Sequence, residues 1–357
     1  MLPYFRSKFG NAASATHNFG WDAEAAVEAA RKRIAALCGA SSGEIVFTSG
    51  ATESDNLAIK GAMPSGGHVV TVATEHKAVL DTVERLARSG RRATVLAPRS
   101  DGLLDLDQLR DAIAPDTVLA SVMYANNEIG VIQQVAEIGA ICRQKKVLFH
   151  CDAVQAFGKF PVDVNACGID LMSVSAHKMY GPKGVGALYV RHGLRLEAQM
   201  DGGGHENGMR SGTLNVPGIV GFGEACAIAA AEMGTECVRV RSLRDRLLEI
   251  LRGGLDGVHV HGSLEHRLSG NLNVSFEGID GDAMLVALPD LAVSAGSACS
   301  SHGVSGSHVL EAIGVPPALM QSATRFGLGR FTTAEEVEYA GARVVEVVRR
   351  LRSDRPV

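Results

Sequence analysis

From Glu44 onward the chain alternates short apolar runs with stretches of helical periodicity. Residues 44–48 (EIVFT) read as a strand, SGATES as a polar break, and NLAIKGA as the start of a helix. The same beat continues through HVVTVAT, HKAVLDTVERLARS, ATVLA, LDLDQLRDAI, TVLASVMY, VAEIGAICRQKK and VLFHCD. DLMSVS at 170–175 and GALYV at 186–190 add two more strand-like runs. Strand, crossover helix and strand in this order predict an α/β fold, with a mainly parallel sheet of about seven strands covered by helices.

The pattern changes past a long apolar helix, VPGIVGFGEACAIAAAEM, and a second helical stretch, CVRVRSLRDRLLEILRGG, read as a bridge. Beyond it the short strands VHVHG, NLNVSFEG and RFGLGRF alternate with the helices DAMLVAL, HVLEAIG and AEEVEYAGARVVEVVRRLR, as in a smaller α+β domain. The boundary is expected near residue 234, giving a large domain over 1–233 and a small C-terminal domain over 234–357. The Ser/Gly-rich segment 293–307, VSAGSACSSHGVSGS, is expected to be a mobile loop of the small domain.

A chain of 357 residues with 46% hydrophobic and 21% charged positions can bury a large core. The formal net charge of -4 argues against a general nucleic-acid-binding surface while leaving room for local basic patches, and no direct nucleic-acid partner is expected. No apolar run approaches the ~20 residues of a membrane span, and MLPYFRSKFGNAAS lacks the blocks of a signal peptide, so the cytoplasm is the expected compartment. Seven cysteines, odd in number and without CxxC spacing, point to reduced thiols rather than a disulfide framework or a structural zinc site.

In open α/β sheets ligands bind beyond the carboxyl ends of the strands, so the polar residues after each strand are the candidates. Ser49, Gly50, Ala51 and Thr52 stand between strand and helix, where free backbone N–H groups favour an anion such as phosphate or simply cap the helix. Asp152 ends VLFHCD with Gln155 after it; a buried carboxylate there needs a cation, such as a pyridinium nitrogen, or serves as an N-cap. Lys178, in Ser175-Ala176-His177-Lys178 before the glycine-rich YGPKGVG, is either a surface lysine or an amine desolvated enough to form a Schiff base. GPKGVG lacks the order of a Walker loop. His76 could stack on a planar cofactor and move protons, or cap a helix; Asn127 could bond a phenolic oxygen or shape a turn. Cys299 differs from the other cysteines in lying within the polar loop, where a thiol can reach and attack, or stand there incidentally. Arg325 could clamp a carboxylate or be structural, and Arg210-Ser211-Gly212-Thr213 offers another anion-binding turn.

Taken together, SGATESDN, TEHKAVL, NNEIG, HCDAVQ, SAHKMYGPKG, GGGHENGMRSGT, SAGSACSS and RFGLGRF occur in the order found in cysteine desulfurases of the IscS/NifS type. The chain resembles that family over nearly its whole length, from GNAASATHNFG to GRFTTAEEVEY. The resemblance implies a fold-type-I, pyridoxal 5'-phosphate dependent transferase related to class V aminotransferases, working as a homodimer. It implies that Lys178 holds the cofactor covalently, that Asp152 keeps the pyridine nitrogen protonated, and that His76 stacks on the ring and shuttles protons. By the same resemblance Asn127 and Gln155 contact the phenolic oxygen. Ala51, Thr52, Ser175 and His177 form the phosphate cup, completed by Thr213 from a second copy.

Arg325 resembles the residue that binds the substrate's carboxylate, with Asn127 beside the substrate. Cys299 is similar to the thiol that takes sulfur from L-cysteine as a persulfide, leaving L-alanine, and passes it to an acceptor such as an IscU-type scaffold or a tRNA-thiolation carrier. No resident metal is implied, although Cys299 could contact an iron–sulfur cluster transiently. Family members usually begin with a segment of the form Y-x-D-x-x-A-T-x-P ahead of the point matching MLPYF, so the first methionine is expected to be internal. Related alternatives are a selenocysteine lyase, a class V aminotransferase, or an impaired scaffold that binds sulfur carriers without turnover.

Overall fold

The computed structural model describes residues 1–63, 66–295 and 306–354, which fall into two compact units. The first comprises Met1–Leu96, Leu106–Tyr124 and Gln134–Met233; the second comprises Ala97–Asp105, Ala125–Gln133 and Gly234–Val357.

The first unit is built on a seven-stranded sheet, of order β1-β7-β6-β5-β4-β2-β3. Its strands are β1 (Ile45–Thr48), β2 (His68–Val72), β3 (Arg92–Leu96), β4 (Thr117–Ser121), β5 (Leu148–Asp152), β6 (Leu171–Ser175) and β7 (Gly186–Val190). β7 runs antiparallel to both β1 and β6, whereas the remaining pairs are parallel. β1 therefore points the same way as β6, and six strands end at one edge of the sheet. β2, β5, β6 and β7 are almost wholly buried, as their apolar runs require when helices cover both faces.

The helices of this unit are α1 (Leu2–Arg6), α2 (Asn18–Leu37), α3 (Ala51–Gly61), α4 (Lys77–Arg88), α5 (Leu106–Ala112) and α6 (Val135–Lys145), together with the first part of α7 (Val216–Gly254). α4 buries Val79, Thr82, Val83 and Leu86, a single stripe at helical spacing. α2 buries Ala23, Val27, Ala30 and Ile34, and its small residues let α7 approach closely. A Cβ placed on Gly223 of α7 would lie 2.6 Å from the Cα of Ala30, so only glycine fits there.

The two apolar stretches read as a long helix and a bridge form one continuous 39-residue helix, α7. The expectation that no stretch is apolar enough to span a membrane needs correcting for it. α7 contains an 18-residue window of mean hydropathy 1.3, 39% of it buried. Its apolar face is spent on the core, with Ile219, Phe222, Ala225, Cys226 and Ala229 buried and the Phe222 ring edge-on to Phe157 at 6.4 Å.

The second unit carries a four-stranded antiparallel sheet, of order β10-β11-β9-β8, from β8 (Val258–Val260), β9 (Asn271–Phe276), β10 (Ser294–Ala295) and β11 (Thr324–Gly327). Its helices are α8 (Gly281–Val286), α9 (His308–Ala312), α10 (Pro317–Gln321) and α11 (Ala334–Ser353). Leu247, Leu251, Leu272, Val274, Phe276 and Val344 are among the side chains that close its core. α11 starts at a capping box in which Thr333 and Glu336 satisfy each other's backbone N–H groups.

Candidate active site

The common direction of β1, β2, β5 and β6 brings Ser49–Thr52, His76, Asp152 and Ser175–Lys178 out at the same edge of the large sheet. Seven of the sequence-predicted residues converge there by topology alone: Ala51, Thr52, His76, Asp152, Ser175, His177 and Lys178.

One part of this edge offers hydrogen-bond donors. α3 begins at Gly50, whose backbone lies at φ 156 and which has no side chain to cap the helix. The first N–H groups of a helix have no intrahelical acceptor, so those of Ala51 and Thr52 are left pointing out of the α3 N-terminus, the positive end of its dipole. Gly186 of β7 allows the close backbone approach here: a Cβ on it would fall 2.7 Å from the Cα of Gly50. Ser175 is buried at the end of β6, and its hydroxyl meets Nδ1 of His177 at 2.9 Å. A Cβ built on Gly50 has that hydroxyl as its nearest neighbour, at 4.0 Å. Partial burial and the cations of Lys178 and Lys183 push His177 below its ordinary pKa.

Lys178 sits on the single 3-10 turn Ala176–Met179 that follows β6 and is exposed in the isolated chain. Tyr180 closes this turn in the left-handed conformation, at φ 65. The Lys178 charge is close enough to lower the pKa of both His177 and Asp152.

The neighbouring part offers acids. Asp152 is buried at the end of β5, and its Oδ1 accepts the Val154 N–H at 3.0 Å. Burial raises its pKa, while the Val154 N–H, His76 and Lys178 pull it back down. Below it lies a polar line that the sequence reading missed. Ser121, His150 and Ser173 are buried and bonded in series, with Ser121 Oγ to His150 Nδ1 at 2.8 Å and His150 Nε2 to Ser173 Oγ at 3.0 Å. Asp55 of α3 and Glu75 before α4 bring two more fully buried carboxyls, and burial drives both well above the ordinary carboxylate range. A signal was present: His150 and Asp152 alternate along β5, and Ser173 and Ser175 along β6, placing polar groups on one face of strands that are otherwise core.

His76 is the N-cap of α4, its Nδ1 accepting the Ala78 N–H at 3.1 Å. That bond assigns the ring proton to Nε2 in the neutral form. The capping role and a role at the sheet edge thus coexist in one residue. Gln155 lies in the turn after β5, and its Oε1 accepts from Lys159 Nζ at 2.9 Å. Thr213 is exposed, on a segment tied to the first turn of α3 by an Arg210–Glu53 ion pair at 2.8 Å. A second anchor of that segment was also missed. Glu206, itself in the left-handed region, takes two bonds from Arg31 at 2.8 Å and the Phe47 N–H at 2.7 Å.

Asn127 and Arg325 belong to the second unit. There Arg325 on β11 donates through Nη1 to the carbonyl of Asn127 at 2.8 Å, so these two predicted residues are brought together. Cys299 lies outside the described residues. Cys38, Cys142, Cys151, Cys167, Cys226 and Cys237 are free thiols, the first five buried. No group of three or more potential metal ligands occurs among the described residues.

A donor-rich helix terminus beside a lysine and a buried carboxylate, at the edge of a mainly parallel seven-stranded sheet, is the setting of an α/β enzyme that binds an anionic ligand beyond its strand ends. The sequence matches the aminotransferase class-V family over residues 1–340, and the chain belongs to that family. A relative from Anaeromyxobacter dehalogenans named cysteine desulfurase IscS is 58% identical, over 100% of this chain and 90% of its own. One of the same name from Tolumonas auensis is 56% identical over 98% of this chain and 88% of its own. A solved NifS-like protein superposes with a TM-score of 0.91 at 37% identity, covering 98% of this chain and 94% of its own.

Proposed function

We propose that the chain is a cysteine desulfurase: it binds pyridoxal 5'-phosphate, takes L-cysteine to L-alanine, and receives the sulfur on Cys299 as a persulfide. Atoms balance without an external oxidant, because L-cysteine and the Cys299 thiol together give L-alanine and the Cys299 persulfide.

The residues present fit the cofactor. The N–H groups of Ala51 and Thr52, with Ser175 and His177, suit a phosphate, and the buried Asp152 carboxyl suits a protonated ring nitrogen. When bound, the cofactor supplies an electron sink for charge developing at the substrate Cα. Lys178 would hold the cofactor through its amine, Asp152 would keep the ring nitrogen protonated, and His76 would carry a proton on Nε2 while its Nδ1 stays committed to Ala78. Gln155 and Asn127 would bond the ring's phenolic oxygen, Arg325 would bind the substrate carboxylate, and Thr213 would complete the phosphate cup of a second copy. The working unit is then a homodimer in the cytoplasm that hands sulfur to a scaffold or carrier protein, the large unit holding the cofactor and the small one Cys299.

The observation that carries this reading is the shared sheet edge, where Asp152, buried and in electrostatic reach of Lys178 and His76, meets an uncapped α3 N-terminus. The test is visible absorption of the purified protein together with alanine formation from L-cysteine. The expected result is a yellow protein that makes alanine. In Lys178→Ala the covalent absorption disappears and turnover falls at least about a thousand-fold. A colourless protein that takes up no added cofactor overturns the assignment.

A further inference from the structure

Among the buried polar groups beneath Asp152, Asp55 stands apart by its bonding. Asp55 is 1% exposed, and neither of its carboxyl oxygens makes a hydrogen bond of good geometry among the described residues, although the Ser173 hydroxyl lies close enough to offset part of the rise in its pKa that burial causes. The other two acids differ: Asp152 accepts the Val154 N–H, and Glu75 accepts the Met123 N–H at 2.7 Å. A basic atom, Nε2 of His150, lies 3.5 Å from Oδ1 of Asp55. Both nitrogens of that ring are already committed to serine hydroxyls, and burial lowers the His150 pKa to about 3, so the ring is neutral and supplies no counter-charge.

A carboxylate in this position would be an uncompensated buried charge facing Asp152, whereas the neutral acid has an O–H to give. Ser173, whose hydroxyl bonds His150, neighbours Asp55 and is also the register partner of Asp152 across β5 and β6.

We propose that Asp55 is a positioning residue held as the neutral acid, which steadies the His150–Ser173 line and leaves Asp152 the one ionised carboxylate available to a cationic ring nitrogen. This rests on the cofactor reading above. Asp55 contributes shape and a donor rather than charge, and Asn supplies both. The groups in electrostatic reach of it are His150, Cys151 and Asp152 from β5, Ser173 from β6, and Glu75 from the turn before α4.

The test has two arms. Difference infrared spectra of wild type against Asp55→Asn, taken on the protein alone from neutral to alkaline pH, should show a protonated-carboxyl C=O band that the substitution removes. Absence of that band overturns the proposal whether or not the protein binds cofactor. In the second arm, the cofactor dissociation constant of Asp55→Asn should stay within about threefold of wild type, while Asp55→Ala weakens it about tenfold or more. Equal weakening in both variants would mean that charge was the contribution, and would overturn the proposal. Should Asp55→Ala fail to fold, Asp55→Asn decides alone. Its cofactor absorption should titrate at the wild-type pH, and a downward shift of about one unit, as expected on removing a neighbouring negative charge, would refute the neutral acid. A wild-type protein that takes up no cofactor sinks the functional reading and this role with it, leaving the infrared arm to report on Asp55 itself.

Discussion

The donor cup at the start of α3 and the acid floor at the end of β5 share one sheet edge and one helix, yet they are built by opposite rules. The cup is made of backbone: uncapped N–H groups, a glycine without a cap and the close approach of Gly186, with Ser175 and His177 as its side chains. It faces outward and is satisfied by an anion from outside. The floor is made of side chains sunk in the core, and its acids carry pKa values raised by burial. It is satisfied only by a cation or by keeping its protons. α3 joins the two, with Ala51 in the cup and Asp55, four residues on and so on the same helix face, in the floor. A ligand that is anionic at one end and basic at the other completes both, which no simple phosphate or amine does.

The largest effect comes from breaking the floor while sparing the cup. Asp152→Asn keeps the shape but cannot stabilise a protonated ring nitrogen. Turnover should fall at least about a hundred-fold while the cofactor dissociation constant moves by less than about tenfold. Parallel rate assays and cofactor titrations check this. Loss of binding equal to the loss of rate would show that cup and floor are not separable.

The converse substitution is milder. Ser175→Ala removes one neutral donor from the cup and frees Nδ1 of His177, a loss of about 1 kcal/mol or roughly five- to tenfold in cofactor affinity. Turnover at saturating cofactor should stay near wild type. A large fall in that saturated rate would mean the cup also tunes the chemistry.

The cup was more legible in sequence than the floor, and the reason is physical. A polar break between an apolar strand and a periodic helix is a local signal, so SGATES and SAHK announced themselves. His150 stands inside an apolar strand run that reads as core, Asp55 stands in the polar run Thr52–Asn56 that reads as helix surface, and their polarity matters only because α3 is laid across β5 and β6. The seven strands of the large sheet were read from their apolar runs, whereas α2 was not, because its buried face is mostly alanine and glycine and gives a weak periodic contrast. Ser294–Ala295 pairs with β11 from within a segment that composition marks as loop. Residues 97–105 and 125–133 group with the second unit although elements of the first flank them, a non-local fact that no window of sequence contains. Convergence of Asn127 with Arg325 is of the same kind.

The smallest effect tests the floor through stability. His150 is buried and neutral, its pKa lowered by desolvation from 6.5 to about 3. A depressed native pKa means that the unfolded chain binds a proton the folded protein refuses. The stability owed to the neutral ring is complete above about pH 6.5 and drains away as pH falls towards about 3. Asp55 and Glu75 work in the opposite sense. Their raised values give stability that is whole below the ordinary carboxylate pKa and is lost as pH rises through the native one. The floor is therefore squeezed from both sides, while the cup, made chiefly of backbone N–H groups, titrates little. His150→Gln keeps a neutral, hydrogen-bonding side chain between Ser121 and Ser173 but cannot be protonated. Below about pH 6.5 its unfolding free energy should decline less steeply than that of wild type, by up to about 1.4 kcal/mol per pH unit for the one proton removed. Urea unfolding at a series of acidic pH values measures the difference directly. Parallel curves would mean that His150 is already protonated in the folded protein, and would make it a cationic partner for Asp55 instead of a neutral strut.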